Sequence, residues 1–159
     1  MYKRQAEELL SMLESDVEQM TSPRRAALNY LRGEAWRQQG YAEDAEKRWD
    51  KLSKGTDNYY RAKANLSLTR LQLDQKKITP EKAIDRLEML RYVWRGDELE
   101  TLINFRLGQV YIQGNNYLKG LSILRNAVSL MPGSNMAKEV TSYMTCLLYT
   151  SPSPRDHQP

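Results

Sequence analysis

Along almost the whole chain the apolar residues return every third or fourth position and nowhere alternate singly with polar ones, so the sequence predicts helices throughout and no strands. Tyr2 to Gln19 reads as an amphipathic helix with Ala6, Leu9, Leu10, Leu13 and Val17 as its stripe. Ser22-Pro23 reads as a cap followed by proline at the first helical position, opening a helix to about Gln39 that Gly40 breaks. The next helix runs from about Ala42 to Leu52 and stops around Gly55. Asp57 caps a longer one to about Gln75, and Thr79-Pro80 repeats the cap-plus-proline signal for a helix to Trp94, ended by Gly96. Asp97 caps Glu98 to about Gln113, Asn115-Asn116 precede Tyr117 to Leu130, and Ser134, after Pro132, caps a last helix from Asn135 to Thr145. The expected fold class is all-α.

Within this helical pattern, some positions recur as a set. In Leu107 to Pro132, the residues Leu107, Gly108, Tyr111, Tyr117, Gly120, Leu124, Ala127 and Pro132 have a joint physical reading. Leu107 and Tyr111 share one face of the first helix, and Gly108 removes a side chain where a second helix must come close. On that second helix Gly120, Leu124 and Ala127 form a stripe with small residues at two contacts. Gly33, Trp36, Gly40, Ala45, Trp49 and Leu52 repeat the pattern upstream, with Trp49 standing where Leu124 does. A degenerate copy lies between, with Ala62, Leu66, Thr69 and Leu73 on one helix and Ala83, Leu87 and Leu90 on the other.

This set of positions resembles the tetratricopeptide repeat family. The resemblance implies an antiparallel helix-hairpin solenoid of about three repeats with flanking partial helices, occupying residues 1–145. Residues 1–21 are then a preceding helix, 22–55 a first repeat, 57–94 a degenerate repeat, 97–133 the best repeat and 134–145 a truncated next one. The step from Ala45 to Ala83 exceeds the family period of about 34 residues, so a small insertion is expected around Gln75 to Thr79. The stretch Ala83 to Glu100, AIDRLEMLRYVWRGDELE, further resembles tetratricopeptide proteins of alphaproteobacteria, which implies a bacterial origin.

The tail changes the chemical inventory. Cys146 to Asp156, CLLYTSPSPRD, resembles the translation of a transposase sequencing adapter, so residues 146–159 are expected to be a disordered tail outside the fold. The alternative is a genuine Ser/Pro-rich disordered tail. Cys146 and His157 are the chain's single cysteine and single histidine. Up to Thr145 there is therefore no Cys/His zinc site, thiol nucleophile, Ser-His-Asp triad or imidazole base. Glu7-Glu8 and Glu43-Asp44 are adjacent on their helices and do not face the same way, so they read as solvated faces. No catalytic residue, metal site or cofactor is expected. Without disulfides the redox compartment is unread, and cytoplasm and periplasm both stay open. Met1 to Met20 carries acidic residues through its apolar part, unlike a signal peptide, and no apolar run approaches membrane-spanning length.

The net charge is +4 over 159 residues, with acidic residues interleaved among the basic ones. Tyr59, Tyr60, Arg61 and Lys63 mix aromatic and basic groups as single-strand binders do, but no continuous phosphate-tracking stripe exists, and nucleic acid is disfavoured. The resemblance points instead to a protein or peptide partner along the first helix of each pair. The candidates are Tyr30, Glu34 and Arg37 in the first repeat and Phe105, Arg106, Gln109 and Gln113 in the best one, against the alternative of a solvated face with an aromatic helping the core. Of the basic set with which some relatives grip a terminal carboxylate, Arg106 alone fits. Arg91, Tyr92, Trp94 and Arg95 read either as a stacking surface or, preferably, as Tyr92 or Trp94 packed between repeats with the arginines solvated. The expected function is a non-catalytic interaction scaffold; an RNA-binding helical surface, or a scaffold that positions a domain elsewhere in a longer chain, are the alternatives. Met136, Val140, Tyr143 and Met144, as half a hairpin, are expected to fray or self-associate.

Overall fold

The structure is a computed structural model that describes residues 21–150, with nothing said of the Thr150 side chain; the expected helix at Tyr2 to Gln19 lies outside the described residues. Among the described residues the chain is all helical: α1 (Ser22–Gln38), α2 (Ala42–Ser53), α3 (Asn58–Asp74), α4 (Pro80–Val93), α5 (Glu98–Gln113), α6 (Tyr117–Leu130) and α7 (Asn135–Thr150).

Local chemistry explains most of the boundaries. Asp57 Oδ1 accepts from the Tyr60 amide at 2.9 Å, Asp97 Oδ1 from Leu99 and Glu100 at 2.9 and 3.2 Å, and Ser134 Oγ from Ala137 at 3.0 Å, so each occupies orphan donors of a first turn. Thr79 Oγ1 does the same for Lys82 at 3.4 Å. At α1 the expectation fails: Thr21, not Ser22, stands at the cap, and its side chain makes no capping bond. Proline there fixes a helical φ and brings no donor of its own, so the turn forms without a side-chain cap. Gly40 closes α1 with φ +86°, in the left-handed region that a side chain resists.

Packing divides the chain into two compact units, one up to Leu71 and one from Gln72 onward, and the division falls inside α3. It therefore cuts the segment 57–94 that reads as one degenerate repeat. That segment carries no glycine from Asn58 to Val93, and so holds no counterpart of the glycine contacts that lock the other two hairpins.

In the first unit, α1 and α2 pack antiparallel around Trp49, whose side chain is fully buried with Ala45, Tyr30 and, from α3, Ala64, Leu68 and Leu71. Gly33 makes this possible. A Cβ there would lie 2.2 Å from Trp49 Nε1, so only a bare backbone lets the indole lie against α1 and donate to the Tyr30 carbonyl at 3.3 Å. The Tyr30 and Trp49 rings stack with centroids 6.1 Å apart.

In the second unit the same device joins α5 to α6. A Cβ on Gly108 would lie 2.7 Å from Leu124 Cγ, and one on Gly120 would lie 2.9 Å from the Gly108 carbonyl. Leu124 thus occupies the seat that Trp49 occupies in the first unit. α7 then packs on this hairpin. Val140 is fully buried with Phe105, Ile112, Leu124 and Ala127, and Met136, Tyr143, Met144 and Leu147 are partly buried beside it. The four apolar residues expected to lack a partner helix on α7 are therefore covered by α5 and α6.

α7 does not stop at Thr145 but continues to Thr150, so residues 146–150 are helical where disorder was expected. The cause is the spacing: Met136, Val140, Tyr143, Met144 and Leu147 form one unbroken stripe, and its last member lies beyond the expected boundary.

Candidate functional site

On α1, Tyr30, Glu34 and Arg37 lie one turn apart and the structure does bring them together. The Tyr30 phenol donates to Glu34 Oε1 at 3.2 Å, and Arg37 bonds Glu34 Oε2 through Nη2 at 3.1 Å and Nε at 3.2 Å. From α3, the Ser67 hydroxyl lies 2.9 Å from the Tyr30 oxygen and donates to Glu34 Oε1 at 3.4 Å. Lys63 Nζ sits 4.8 Å from the centre of the Tyr30 ring and 5.5 Å from that of Tyr59. Tyr59 in turn packs edge-on against Tyr60 at 5.1 Å. The result is a polar strip of Glu34, Arg37, Lys63 and Ser67 over an aromatic floor.

Tyr30 belongs to that floor rather than to the displayed surface, since it is 8% exposed. Burial pushes its hydroxyl up to about 12 from 10.0, with the Glu34 carboxylate adding in the same direction and the Ser67 bond opposing. Sequence reasoning missed Ser67, and singled out Lys63 only as one of a basic-aromatic run. Both need the placement of α3 against α1, which periodicity within either helix does not contain.

The second set divides. Phe105 is 2% exposed and its ring meets Tyr143 of α7 edge-on at 5.8 Å, so it is a core residue and not a partner contact. Arg106 and Gln109 are half-buried and joined by a bond of 2.8 Å, with the guanidinium 5.3 Å from the Phe105 ring centre. Gln113, at the end of α5, is exposed. The displayed part of α5 is therefore Arg106, Gln109 and Gln113.

A second polar junction in this unit centres on Glu88 of α4. Its Oε1 accepts from the Tyr111 phenol at 2.9 Å and lies 3.6 Å from Lys119 Nζ, while Oε2 pairs with Arg91 at 3.5 Å. Lys119 also lies 4.5 Å from the Tyr111 ring centre. The Tyr111 phenol first, and the Glu88 carboxylate after it, hold the Lys119 ammonium above the ordinary lysine range. These bonds tie α4, α5 and α6 together and read as structural.

The aromatic run at the end of α4 divides, and Tyr92 is not packed as expected. The Trp94 indole donates to Asp97 at 2.8 Å and is half-buried, whereas Tyr92 is 81% exposed beside exposed Met89 and Val93. Arg95 is bonded at 3.1 Å to Glu100, whose carboxylate also accepts from the Gly96 amide. Among the described residues no three His, Cys, Asp or Glu side chains converge as a metal site requires, and no helix is long and apolar enough to cross a membrane. No protein-family model matches the chain, and no curated protein matches it.

Proposed function

We propose that this protein is a tetratricopeptide-type scaffold without chemistry of its own, which binds a peptide or a short helix along the first helices of its hairpins. The observation that carries the reading is the recurrence of one packing device, Gly33 under Trp49 and Gly108 under Leu124, at the positions where the repeat pattern demands it. Hairpins locked in this way present their first helices as rigid rails. What those rails display is polar and hydrogen-bonding: Glu34, Arg37, Lys63 and Ser67 in the first unit, and Arg106, Gln109 and Gln113 in the second. Such groups suit the backbone and polar side chains of an extended or helical peptide.

The test is selection from a random peptide library displayed on phage, using the full chain, followed by titration of the winners against Glu34→Lys, Lys63→Glu and Gln109→Ala. The reading expects peptides with affinities of about 1–100 μM that survive moderate salt and lose roughly tenfold or more in at least one of these variants. Peptides indifferent to all three substitutions, or binding only of RNA that vanishes between low and moderate salt, would overturn it.

A further inference from the structure

Glu34, Arg37 and Lys63 are the charges of the polar strip in the first unit, and two of them are already matched. Glu34 accepts from Tyr30, Arg37 and Ser67, so both its oxygens are occupied, and the Arg37 guanidinium grips one of them through two nitrogens. Lys63 stands apart. Its Nζ lies 4.8 Å from the centre of the Tyr30 ring and 5.5 Å from that of Tyr59, and among the described residues it makes no hydrogen bond and no ion pair. Ring faces attract an ammonium without offering it a lone pair, so its N–H donors keep their capacity for an acceptor. The side chain is half-buried, and the two rings restrict where its head can go. An anion brought to this place meets a cation that is already positioned, which lowers the ordering cost of pairing with it.

We infer, resting on the peptide reading above, that Lys63 sets the specificity of the strip by pairing with an internal Asp or Glu side chain of the bound peptide. A carboxylate matches the charge available. The strip has one cation without a counter-charge, and Glu34, which bonds the hydroxyl of the same Tyr30, would repel the second charge of a phosphate group. An ammonium on a flexible stem also pairs as a point charge and lacks the planar fork with which arginine holds a doubly charged group. The placement on α3 favours a side chain over a chain terminus. Lys63 lies one turn from Tyr59 on one side and one turn from Ser67 on the other, and Tyr59 is 38% exposed. A peptide laid along the strip therefore continues past Lys63 in both directions, so the carboxylate that arrives there belongs to a residue within it.

The experiment takes peptides selected on the full chain, made with amidated C-termini, and titrates each acidic residue's Glu→Gln or Asp→Asn version against the parent, Lys63→Met and Lys54→Met. Methionine keeps an unbranched stem for the two rings and removes the charge; Lys63→Gln takes its place if Lys63→Met fails to fold by circular dichroism. Lys54 is the control, because it is exposed, sits at the end of α2 and is paired with Asp50. One acidic position should matter: neutralising it should weaken binding to the parent and to Lys54→Met by about five- to tenfold, and to Lys63→Met by less than about twofold. Lys63→Glu should in turn bind the peptide carrying lysine at that position better than the original peptide. Peptides that bind without any acidic preference, or whose preference survives in Lys63→Met, would overturn this inference and leave the scaffold reading standing. Binding that requires a free C-terminus would overturn the choice of a side chain. Failure of every peptide to bind would overturn the scaffold reading and this inference with it.

Discussion

Tyr30 shows how the place of a residue on its helix can be legible while its surroundings are not. Its position on α1 was legible, because it sits three residues before Gly33 on the side of the helix that meets α2. What periodicity cannot give is the second neighbour: α3 lies over the same ring, and Ser67 takes the hydroxyl. The buried phenol is stabilised in its neutral form, and its folded value of about 12 lies above the ordinary 10.0. The folded state therefore holds this proton more tightly than the unfolded state. Its contribution is fully present below pH 10 and is lost between pH 10 and about 12, amounting to about 2–3 kcal/mol at the top of that window. Urea denaturation across this range should show stability falling more steeply in the parent than in Tyr30→Phe. Equal slopes in the two proteins would show that Tyr30 does not titrate as its burial requires.

At the scale of the element, α7 separates what a sequence boundary means from what a helix obeys. The likeness of CLLYTSPSPRD to an adapter concerns how those residues came to be written, whereas the helix responds to the apolar stripe that ends at Leu147. Cutting the chain after Thr145 should therefore cost about 1–2 kcal/mol, the transfer free energy of a partly buried leucine plus a lost turn. Hydrogen exchange checks it: amides from Val140 to Leu147 should be protected in the full chain, and protection at the α7 end should fall in the shortened one. Full-length Cys146 and Leu147 amides exchanging as freely as an unfolded peptide's would restore Thr145 as the end of the helix. The starts of α3, α4, α5 and α7 were legible because a cap is a local bond between a side chain and an amide two or three residues on. The start of α1 was less so, since Thr21 and Ser22 offer the same hydroxyl and neither uses it as a side-chain cap.

Across the molecule the two glycine-locked hairpins were readable and the division inside α3 was not. Gly33, Trp49, Gly108 and Leu124 declare themselves by spacing, because a missing side chain and the bulky one that fills its place must match. A boundary between compact units is the sum of many weak contacts, and no residue type marks it. The displayed residues were half readable for a related reason. Spacing places Arg106 and Phe105 on α5, but whether either is covered depends on α7, which buries the one and leaves the other at the surface. Gly40 and Gly33, on the same hairpin, also differ in what they supply. At Gly33 the requirement is smallness, and alanine would force Trp49 from its seat, at about 2–4 kcal/mol by chemical denaturation. At Gly40 nothing lies within 4 Å of a side chain, and the requirement is handedness alone. A D-alanine inserted there by chemical ligation should leave the turn intact and raise the thermal midpoint, where L-alanine lowers it. The fold thus draws on two separate properties of one residue, its smallness inside the hairpin and its mirror symmetry at the bend.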